Sequence, residues 1–156
     1  SMFGCPVDFE LYANDKLCIK GTTHWVLFDL NKGRPAKIDE SLILKYQPEA
    51  KQVFCDKKIT KIALPETFTS EVEIKPRRND IDFNNHVHNL VYIDYAMEAL
   101  PKEIYKAQNF KSIRINYRTA VTGESKIIAK YAFFEEKHTV CIYDDYGELK
   151  TIILIQ

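Results

Sequence analysis

The most constraining feature of this sequence is a stretch that is apolar on nearly every side when it is drawn as a helix. Within residues 87–100 the clearly polar positions are His88, Asn89, Asp94 and Glu98. Asp94 and Glu98 are four residues apart and therefore share one narrow stripe of a helix. A helix that is apolar over the rest of its circumference is normally buried. We therefore predict a central helix over 87–100 with protein packed around it.

The segments around this helix have the alternating pattern of β-strands. Alternation of apolar and polar residues, interrupted by turn signals, predicts strands over 68–77, 110–118, 125–137, 138–145 and 148–156. The order is β-α-β-β-β-β, which predicts one helix followed by an antiparallel meander. A single sheet can bury the helix only by wrapping around it. That α+β architecture is the hot-dog fold, and a generic α+β sandwich is the alternative.

The sequence pattern of the first 65 residues predicts a β-hairpin followed by a connector. Strand-type residues lie on both sides of Asn14 and Asp15 within 9–30, and a segment with Gly and Pro ends the second strand. Asp39 is placed to cap a short helix over 39–46. We therefore divide the chain into a β-hairpin at 1–38, a connector at 39–65 and a hot-dog domain at 66–156.

Composition and charge exclude several classes of protein. The chain has 156 residues, of which 46% are hydrophobic and 28% are charged, as in a globular domain. Basic and acidic residues both number 22, so the total charge predicts no nucleic-acid partner and no attraction to anionic membranes. No apolar run approaches the roughly 20 residues that span a bilayer. Four widely spaced cysteines predict free buried thiols in a cytoplasmic protein and no zinc site.

Polar side chains are concentrated just before the central helix. Asp82, Asn84 and His86 alternate there, so their side chains project together if the segment is extended. Asn84 or Asn85 can cap the helix, whose first amides and positive dipole end would polarise a carbonyl oxygen. A carboxylate, an amide and an imidazole can activate water beside such a site. Each residue alone is more simply a cap or a structural residue, and only their density favours catalysis.

The histidines do not predict a metal site. His88 is two positions from His86 and points away from it on a helix. We interpret His88 as structural and expect no metal pair. His24 and His138 stand in strands and are assigned no role.

The polar stretch resembles the second hot-dog half of the acyl-ACP thioesterases of plants and bacteria. Their pattern D-x-D-x-N-x-H-V-N-N-x-x-Y, followed by an acidic residue and a helix-ending proline, is matched by Asp80, Asp82, Asn84, His86, Val87, Asn89, Tyr92, Glu98 and Pro101. His88 stands where the family has the first Asn of the N-N pair. Residues 25–38 resemble the segment W-x-L-x-D-x-x-x-x-R-P-x-R-I that closes the first hot-dog half. A shorter pattern, D…H-x-x-N-x-x-Y, is shared with the broader acyl-CoA hot-dog thioesterases.

The resemblance implies hydrolysis of the thioester between a fatty acyl chain and acyl carrier protein, or CoA, as part of fatty acid biosynthesis. Asp82, Asn84 and His86 are the implied catalytic residues. Asp82 and His86 would activate or orient the attacking water, Asn84 would hold the carbonyl, and helix amides would stabilise the oxyanion. Asn89 and Tyr92 are the implied substrate-binding residues. No metal and no cofactor is implied.

One departure from the family concerns the strand beyond the helix. The family has a Glu there, followed in plant members by Cys, whereas this chain has Ala120 and Val121. Neither can carry a proton, and Glu124, the nearest carboxylate, is expected to lie in a turn. We therefore expect an enzyme that is slow or that uses Asp82 alone. The competing function is a catalytically weak acyl or acyl-carrier binding module that kept the fold. A hot-dog dehydratase fits less well because D-x-N-x-H is a thioesterase spacing.

The other departure is length. Family members have two tandem hot dogs, and this chain corresponds to the end of the first and all of the second. Residues 3–38 would be a remnant hairpin with exposed edges and a bare apolar face, which recruit partners. Either the hairpin covers the sheet of the second half, or two chains pair to replace the missing half. Hot-dog sites are typically completed at a domain interface, so we expect a homodimer. Aromatic residues in 91–95 and 131–134 line an acyl tunnel or belong to the ordinary core. The basic residues at 75–78 could dock an acidic carrier protein.

Overall fold

The structure is a computed structural model that describes residues 4–54, 61–123 and 125–156. The chain divides into two units, Ser1–Thr60 and Lys61–Gln156, and each unit has its own sheet or sheets. The segment boundaries expected at 38/39 and 65/66 stay predictions.

A long β-hairpin dominates the first unit. Strands β1 (Gly4–Ala13) and β2 (Lys16–Val26) pair antiparallel on either side of Asn14 and Asp15. The φ angles of these two residues are 49° and 60°, as in the type I′ turn that matches the twist of a two-residue hairpin. The hairpin predicted around this dipeptide is confirmed.

Two short strands and a helix follow the hairpin: β3 (Phe28–Asp29), β4 (Arg34–Pro35) and α1 (Glu40–Tyr46). The carboxylate of Asp39 accepts a hydrogen bond from the Leu42 amide at 2.7 Å. This bond satisfies one of the amides that lack a partner in the first helical turn. The capped helix predicted from Asp39 is confirmed.

The two faces of the hairpin differ in polarity. Residues paired directly across the two strands lie on the same face, and the register therefore shows which side chains each face presents. One face presents exposed apolar side chains, which are Val7, Phe9, Leu11, Ile19 and Trp25. The opposite face carries Asp8 and Glu10, which bind the segment after α1. The amide of Val53 donates to Asp8 at 3.0 Å, and Lys51 pairs with Glu10 at 2.6 Å. The polar face is therefore engaged within the unit, whereas the apolar face is exposed.

The second unit contains a five-stranded antiparallel sheet of strands β5 (Ser70–Ile74), β6 (Ile113–Tyr117), β7 (Ile127–Phe134), β8 (Lys137–Asp144) and β9 (Leu149–Ile155). Their order in the sheet is β5-β7-β8-β9-β6. The last three strands of the chain form the predicted meander. The prediction is wrong for β6, which lies at the sheet edge beside β9 with Ile113 opposite Ile155. Alternation along a strand indicates which side chains face the core, not which strand lies alongside.

The central helix α2 (Val91–Ala99) packs against the sheet and contacts β5, β7, β8 and β9. Apolar residues from the helix and the sheet form one buried cluster, which includes Tyr92, Tyr95, Ala96, Ala99, Ile127, Ala129, Tyr131, Val140, Ile142, Ile153 and Ile155. The aromatic residues Tyr92, Tyr95 and Tyr131 thus belong to the core. An antiparallel sheet around a buried helix is the predicted hot-dog architecture.

The helix boundaries differ from the prediction. Helix α2 begins at Val91, four residues after the expected start at 87, and a short helix that was not predicted, α3 (Lys102–Ala107), follows it. Pro101 stands at the N-terminal boundary of α3. Proline ends a helix but is tolerated at the start of the next one, where its missing N–H group is not needed.

A smaller cluster covers the other face of the sheet. It comprises Ile62, Cys141 and Ile152, with Phe68, Tyr143, Leu149 and Leu154 packed against them. Of the cysteines, Cys141 is buried as predicted, whereas Cys5 and Cys18 are exposed free thiols, and Cys55 lies outside the described residues. Among the helices that the structure describes, none has the length and apolar character to cross a membrane.

Candidate functional site

The segment that carries the predicted site folds back on itself before α2 begins. The Asp82 amide donates to the His86 carbonyl at 2.8 Å, and the Asn85 amide donates to the Asp82 carbonyl at 3.0 Å. Ile81 and Val87 pair as an isolated β-bridge beside this turn. We call residues 82–86 the site loop.

The site loop changes the predicted start of the helix. The residue at the helix N-cap is Leu90, whose own side chain makes no capping hydrogen bond. Asn85 has a φ angle of 61° and lies five residues before Leu90. The expectation that Asn84 or Asn85 caps the helix is therefore wrong, because the chain makes a tight turn at these residues.

The Asp82 carboxylate is held inside the site loop. Its Oδ1 atom accepts hydrogen bonds from the backbone amides of Asn84 at 2.8 Å and His86 at 3.2 Å. Partial burial acts to raise the pKa of Asp82, but hydrogen bonds from His86 and Asn84 outweigh it, and the pKa lies below its usual value. Asp82 is thus a fixed, ionised hydrogen-bond acceptor near neutral pH.

All five residues predicted for the site line one pocket. Its volume is about 270 Å³, and its walls are formed by Asp82, Asn84, His86, Val87, Asn89, Tyr92, Tyr117, Arg118, Thr119 and Ala120. The pocket thus combines the site loop, the start of α2 and the segment after β6. The structure brings the predicted residues together, and their catalytic and substrate-binding roles stay predictions.

Two tyrosines tie the walls of the pocket together. The buried hydroxyl oxygen of Tyr92 accepts a hydrogen bond from the Val121 amide at 3.0 Å. The hydroxyl of Tyr117 donates to the Asn89 carbonyl at 2.9 Å, and the rings of Tyr92 and Tyr117 meet edge to face with their centroids 5.7 Å apart. Burial raises the pKa of Tyr92, so its phenol stays neutral.

The amides at the start of α2 are largely engaged within the chain. The Leu90 amide donates to Nδ1 of His88 at 3.2 Å. The Val91 amide donates to the His88 carbonyl at 2.9 Å, and the Ile93 amide to the Leu90 carbonyl at 3.0 Å. These three amides are therefore not available to an oxyanion. His88 closes the helix start, which agrees with its interpretation as a structural residue.

Asp80 anchors the site loop, a role that was not predicted from the sequence. It is 2% exposed, and its carboxylate accepts hydrogen bonds from the Arg77 amide and the Tyr95 hydroxyl, both at 2.7 Å. The Arg77 guanidinium lies 3.0 Å from the same carboxylate, and the Asp80 carbonyl accepts the His88 amide at 2.8 Å. In the sequence, the match of Asp80 to the family pattern was the feature that could have identified it as part of the site.

The segment after β6 forms the pocket wall at the position where the resemblance to the family predicts a strand Glu. Ala120 lines the pocket, whereas Val121 is buried and its carbonyl accepts the Val87 amide at 2.9 Å. His86 and Thr122 form an isolated β-bridge. Glu124, the nearest carboxylate in the sequence, lies outside the described residues. Position 120 therefore presents only a methyl group to the pocket.

Metal ligands are not clustered at this site. Within 4–54, 61–123 and 125–156, no three His, Cys, Asp or Glu side chains are grouped so that they could hold a metal ion. The expectation that the site uses no metal or cofactor stays a prediction.

The chain is similar to known thioesterases in sequence. Residues 64–149 match the family model "Acyl-ACP thioesterase C-terminal domain". Oleoyl-acyl carrier protein thioesterase 2, chloroplastic, of Arabidopsis thaliana is 31% identical over 116 residues, which are 68% of this chain and 31% of that protein. The oleoyl-acyl carrier protein thioesterase of Coriandrum sativum is 29% identical over 122 residues, 69% of this chain and 31% of that protein.

Solved structures share the fold. The 12:0-ACP thioesterase from Umbellularia californica superposes with a TM-score of 0.86 at 21% identity, covering 99% of this chain and 62% of that one. An acyl-ACP thioesterase from Bacteroides thetaiotaomicron gives a TM-score of 0.82 at 16% identity, covering 99% of this chain and 63% of that one. These likenesses establish the hot-dog fold.

The comparisons also give the extent of the match. The chain spans 31% of the length of the two curated relatives and less than two thirds of the two solved structures. The family model nevertheless matches residues 64–149 of 156, which is more than half of the chain and includes every residue of the pocket. The chain therefore belongs to the acyl-ACP thioesterase family.

Proposed function

We propose that this protein hydrolyses fatty acyl thioesters of acyl carrier protein with water activated in the pocket of the site loop. The observation that carries the proposal is that Asp82, Asn84 and His86 line one pocket in a chain of the acyl-ACP thioesterase family. A carboxylate, an amide and an imidazole can together activate and orient water for attack on an acyl carbonyl.

The proposed roles follow from the state of each group. Asp82 has a lowered pKa, so it stays ionised, and its negative charge beside His86 favours the imidazolium that forms when the water gives up a proton. His86 is the group that we assign to take the proton, because imidazole is the commonest general base. Asn84 can donate its side-chain amide to the carbonyl oxygen, where negative charge develops.

The proposed reaction is balanced without any further reactant. The water oxygen attacks the thioester carbon while one water proton moves to His86. The C–S bond then breaks, the electron pair stays on sulfur, and the proton passes from His86 to the thiolate. The products are a fatty acid and the free thiol of the carrier.

The proposed substrate rests on the relatives, two of which are named as oleoyl-acyl carrier protein thioesterases. In the basic segment 75–78, Arg77 is paired with Asp80, which leaves Lys75 and Arg78 as the candidates to meet an acidic carrier protein. The pocket itself contributes Arg118. We propose release of fatty acids during fatty acid biosynthesis as the cellular role.

Thiol release from acyl-ACP and acyl-CoA tests the proposal. We expect the wild type to release thiol above background, and Asp82→Ala and His86→Ala to reduce kcat by about 10²- to 10⁴-fold. Asp94→Ala, on the exposed side of α2, and His24→Ala, in the hairpin, are matched controls that should keep the wild-type rate. Equal, near-background rates for the wild type and both site variants would contradict hydrolysis.

Ala120 favours a second candidate function, an acyl or acyl-carrier binding module. The methyl group of Ala120 lines the pocket and cannot accept a proton. A binding module would retain acyl-ACP in equilibrium binding measurements and would release no thiol. Measurable turnover that depends on His86 would exclude this candidate.

We also propose that the protein forms a homodimer through the apolar face of its hairpin. Both strands of the hairpin are edge strands, and the face with Val7, Phe9 and Trp25 is exposed. Two copies of such a face can cover each other in a symmetric contact. In sedimentation equilibrium we expect a dimer for the wild type and a monomer for Phe9→Glu, with His24→Glu on the opposite face as control. A wild-type monomer would contradict the proposal.

The cytoplasm is the proposed location. Cys5 and Cys18 are exposed free thiols, and such thiols persist in compartments kept reducing by glutathione and thioredoxin. Fractionation of cells that express the protein tests this proposal, and recovery in an oxidising compartment would contradict it.

A further inference from the structure

A buried lysine organises the loop that lies behind the pocket wall. Lys150 is 8% exposed, and its ammonium group lies 2.9 Å from Asp144 and 2.7 Å from Glu148. A buried ammonium group needs such partners because it has lost its water. The position of the Glu148 carboxylate is therefore tied to the interior of the sheet.

Glu148 in turn binds a residue of the pocket wall. The hydroxyl of Thr119 donates a hydrogen bond to Oε1 of Glu148 at 3.0 Å. The amides of Arg118 and Thr119 both donate to the Lys150 carbonyl, at 2.8 and 3.4 Å. Backbone and side-chain bonds together fix the wall segment against the start of β9.

The bond to Glu148 decides what Thr119 can offer to the pocket. A hydroxyl group has one proton and two lone pairs. Hydrogen bonds from Lys150 and Thr119 lower the pKa of Glu148, so Glu148 stays an ionised carboxylate that can only accept. Because the Thr119 proton is donated to Glu148, the hydroxyl oxygen of Thr119 can only accept a further hydrogen bond.

Thr119 lines the pocket next to Ala120, with Asp82 and His86 also in its walls. An attacking water needs acceptors for its hydrogens so that its lone pair points at the carbonyl carbon. Position 120 offers no acceptor side chain, whereas the Thr119 hydroxyl does.

We propose that Thr119 accepts a hydrogen bond from the attacking water and that Glu148 acts as a positioning residue, which keeps the Thr119 hydroxyl an acceptor. This inference rests on the proposed hydrolysis. The water donates one hydrogen bond to Thr119 and gives its other proton to His86. No proton leaves Thr119, and Glu148 keeps its charge throughout.

Kinetics of purified variants on acyl-ACP test the proposal. We expect Thr119→Val to reduce kcat by about 10- to 100-fold with little change in KM, because a misplaced nucleophile costs rate rather than binding. Thr119→Ser, which keeps the hydroxyl, should stay within a few-fold of wild type. Thr122→Val is the matched control, since Thr122 contacts Ser125 and does not line the pocket.

A double-mutant cycle distinguishes positioning from simple support of the fold. Glu148→Gln should reduce kcat in the wild-type and Thr119→Ser backgrounds but should have no further effect on kcat in the Thr119→Val background. Thermal unfolding of each variant separates losses of stability from losses of rate. A wild-type kcat for Thr119→Val, an equal loss for Thr119→Ser, or an unchanged effect of Glu148→Gln in the Thr119→Val background would overturn the proposal.

Wild-type turnover separates this proposal from the proposed function. If the wild type releases no thiol, hydrolysis itself fails and the role of Thr119 fails with it. If the wild type turns over and Thr119→Val does so equally, only the role of Thr119 fails.

Discussion

The hydroxyl of Tyr95, on the buried side of α2, donates a 2.7 Å hydrogen bond to the carboxylate of Asp80. Asp80 lies two residues before Asp82, the first residue of the site loop, and also binds the Arg77 amide and guanidinium. The buried carboxylate of Asp80 therefore joins the central helix to the site loop, and we expect its loss to destabilise both.

Tyr95→Phe is expected to destabilise the second unit. The substitution removes one donor from a buried carboxylate and leaves the ring in place, so we expect a loss of about 1–3 kcal/mol in the free energy of unfolding. Urea unfolding followed by far-UV circular dichroism measures it. Tyr105→Phe, at an exposed position of α3, should change the free energy little, and equal losses for the two variants would contradict the buried bond.

Asp80 should also make the unit sensitive to acid. Burial acts to raise the pKa of Asp80, but hydrogen bonds from Arg77 and Tyr95 outweigh it and the folded-state pKa is lowered. Between the folded and unfolded pKa values the unfolded chain binds more protons, so stability rises with pH. The contribution of Asp80 is thus complete above the ordinary Asp pKa of about 3.9 and is lost as pH falls through its folded value.

The measurement is urea unfolding of wild type and Asp80→Asn from about pH 5 to about pH 3. The wild type should be the more stable at pH 5, and the difference should shrink on acidification. A difference that stays constant over this range would show that Asp80 does not titrate with folding.

Ala120→Glu is expected to raise the rate of thiol release. The substitution places a carboxylate in the pocket wall, at the position where the resemblance to the family predicts a strand Glu. We expect an increase in kcat of about tenfold or more, because a positioned general base contributes 10²–10⁴-fold in favourable cases. Ala120→Gln has nearly the same size without the charge and is the control. An equal effect of Glu and Gln would assign any change to packing.

Asp15→Gly is expected to stabilise the hairpin. Asp15 has a φ angle of 60°, which glycine adopts without the steric cost that an L side chain carries. We expect a gain of about 0.5–1 kcal/mol. The fluorescence of Trp25, the single tryptophan of the chain, reports unfolding of this unit in urea. An unchanged or lower midpoint for Asp15→Gly would contradict the strained turn.

The amino-acid sequence predicts structure accurately where that structure depends on neighbouring residues. The turn at Asn14 and Asp15 and the helix capped by Asp39 were predicted because turns and caps are made by residues two to four positions apart. Asp82, Asn84 and His86 were predicted to lie together, and they do, although in a tight turn and not along an extended strand.

What the tertiary structure decided involves residues far apart in the chain. The pairing of β6 with β9 brings Tyr117 opposite Thr151, and this pairing places Thr119 beside Glu148. The hydrogen bond from Tyr95 to Asp80 joins two residues that are 15 positions apart in the chain. Periodicity and capping indicate the local conformation and the buried face of each element. Which elements lie side by side depends on how their faces pack, and only the folded chain brings those distant residues into contact.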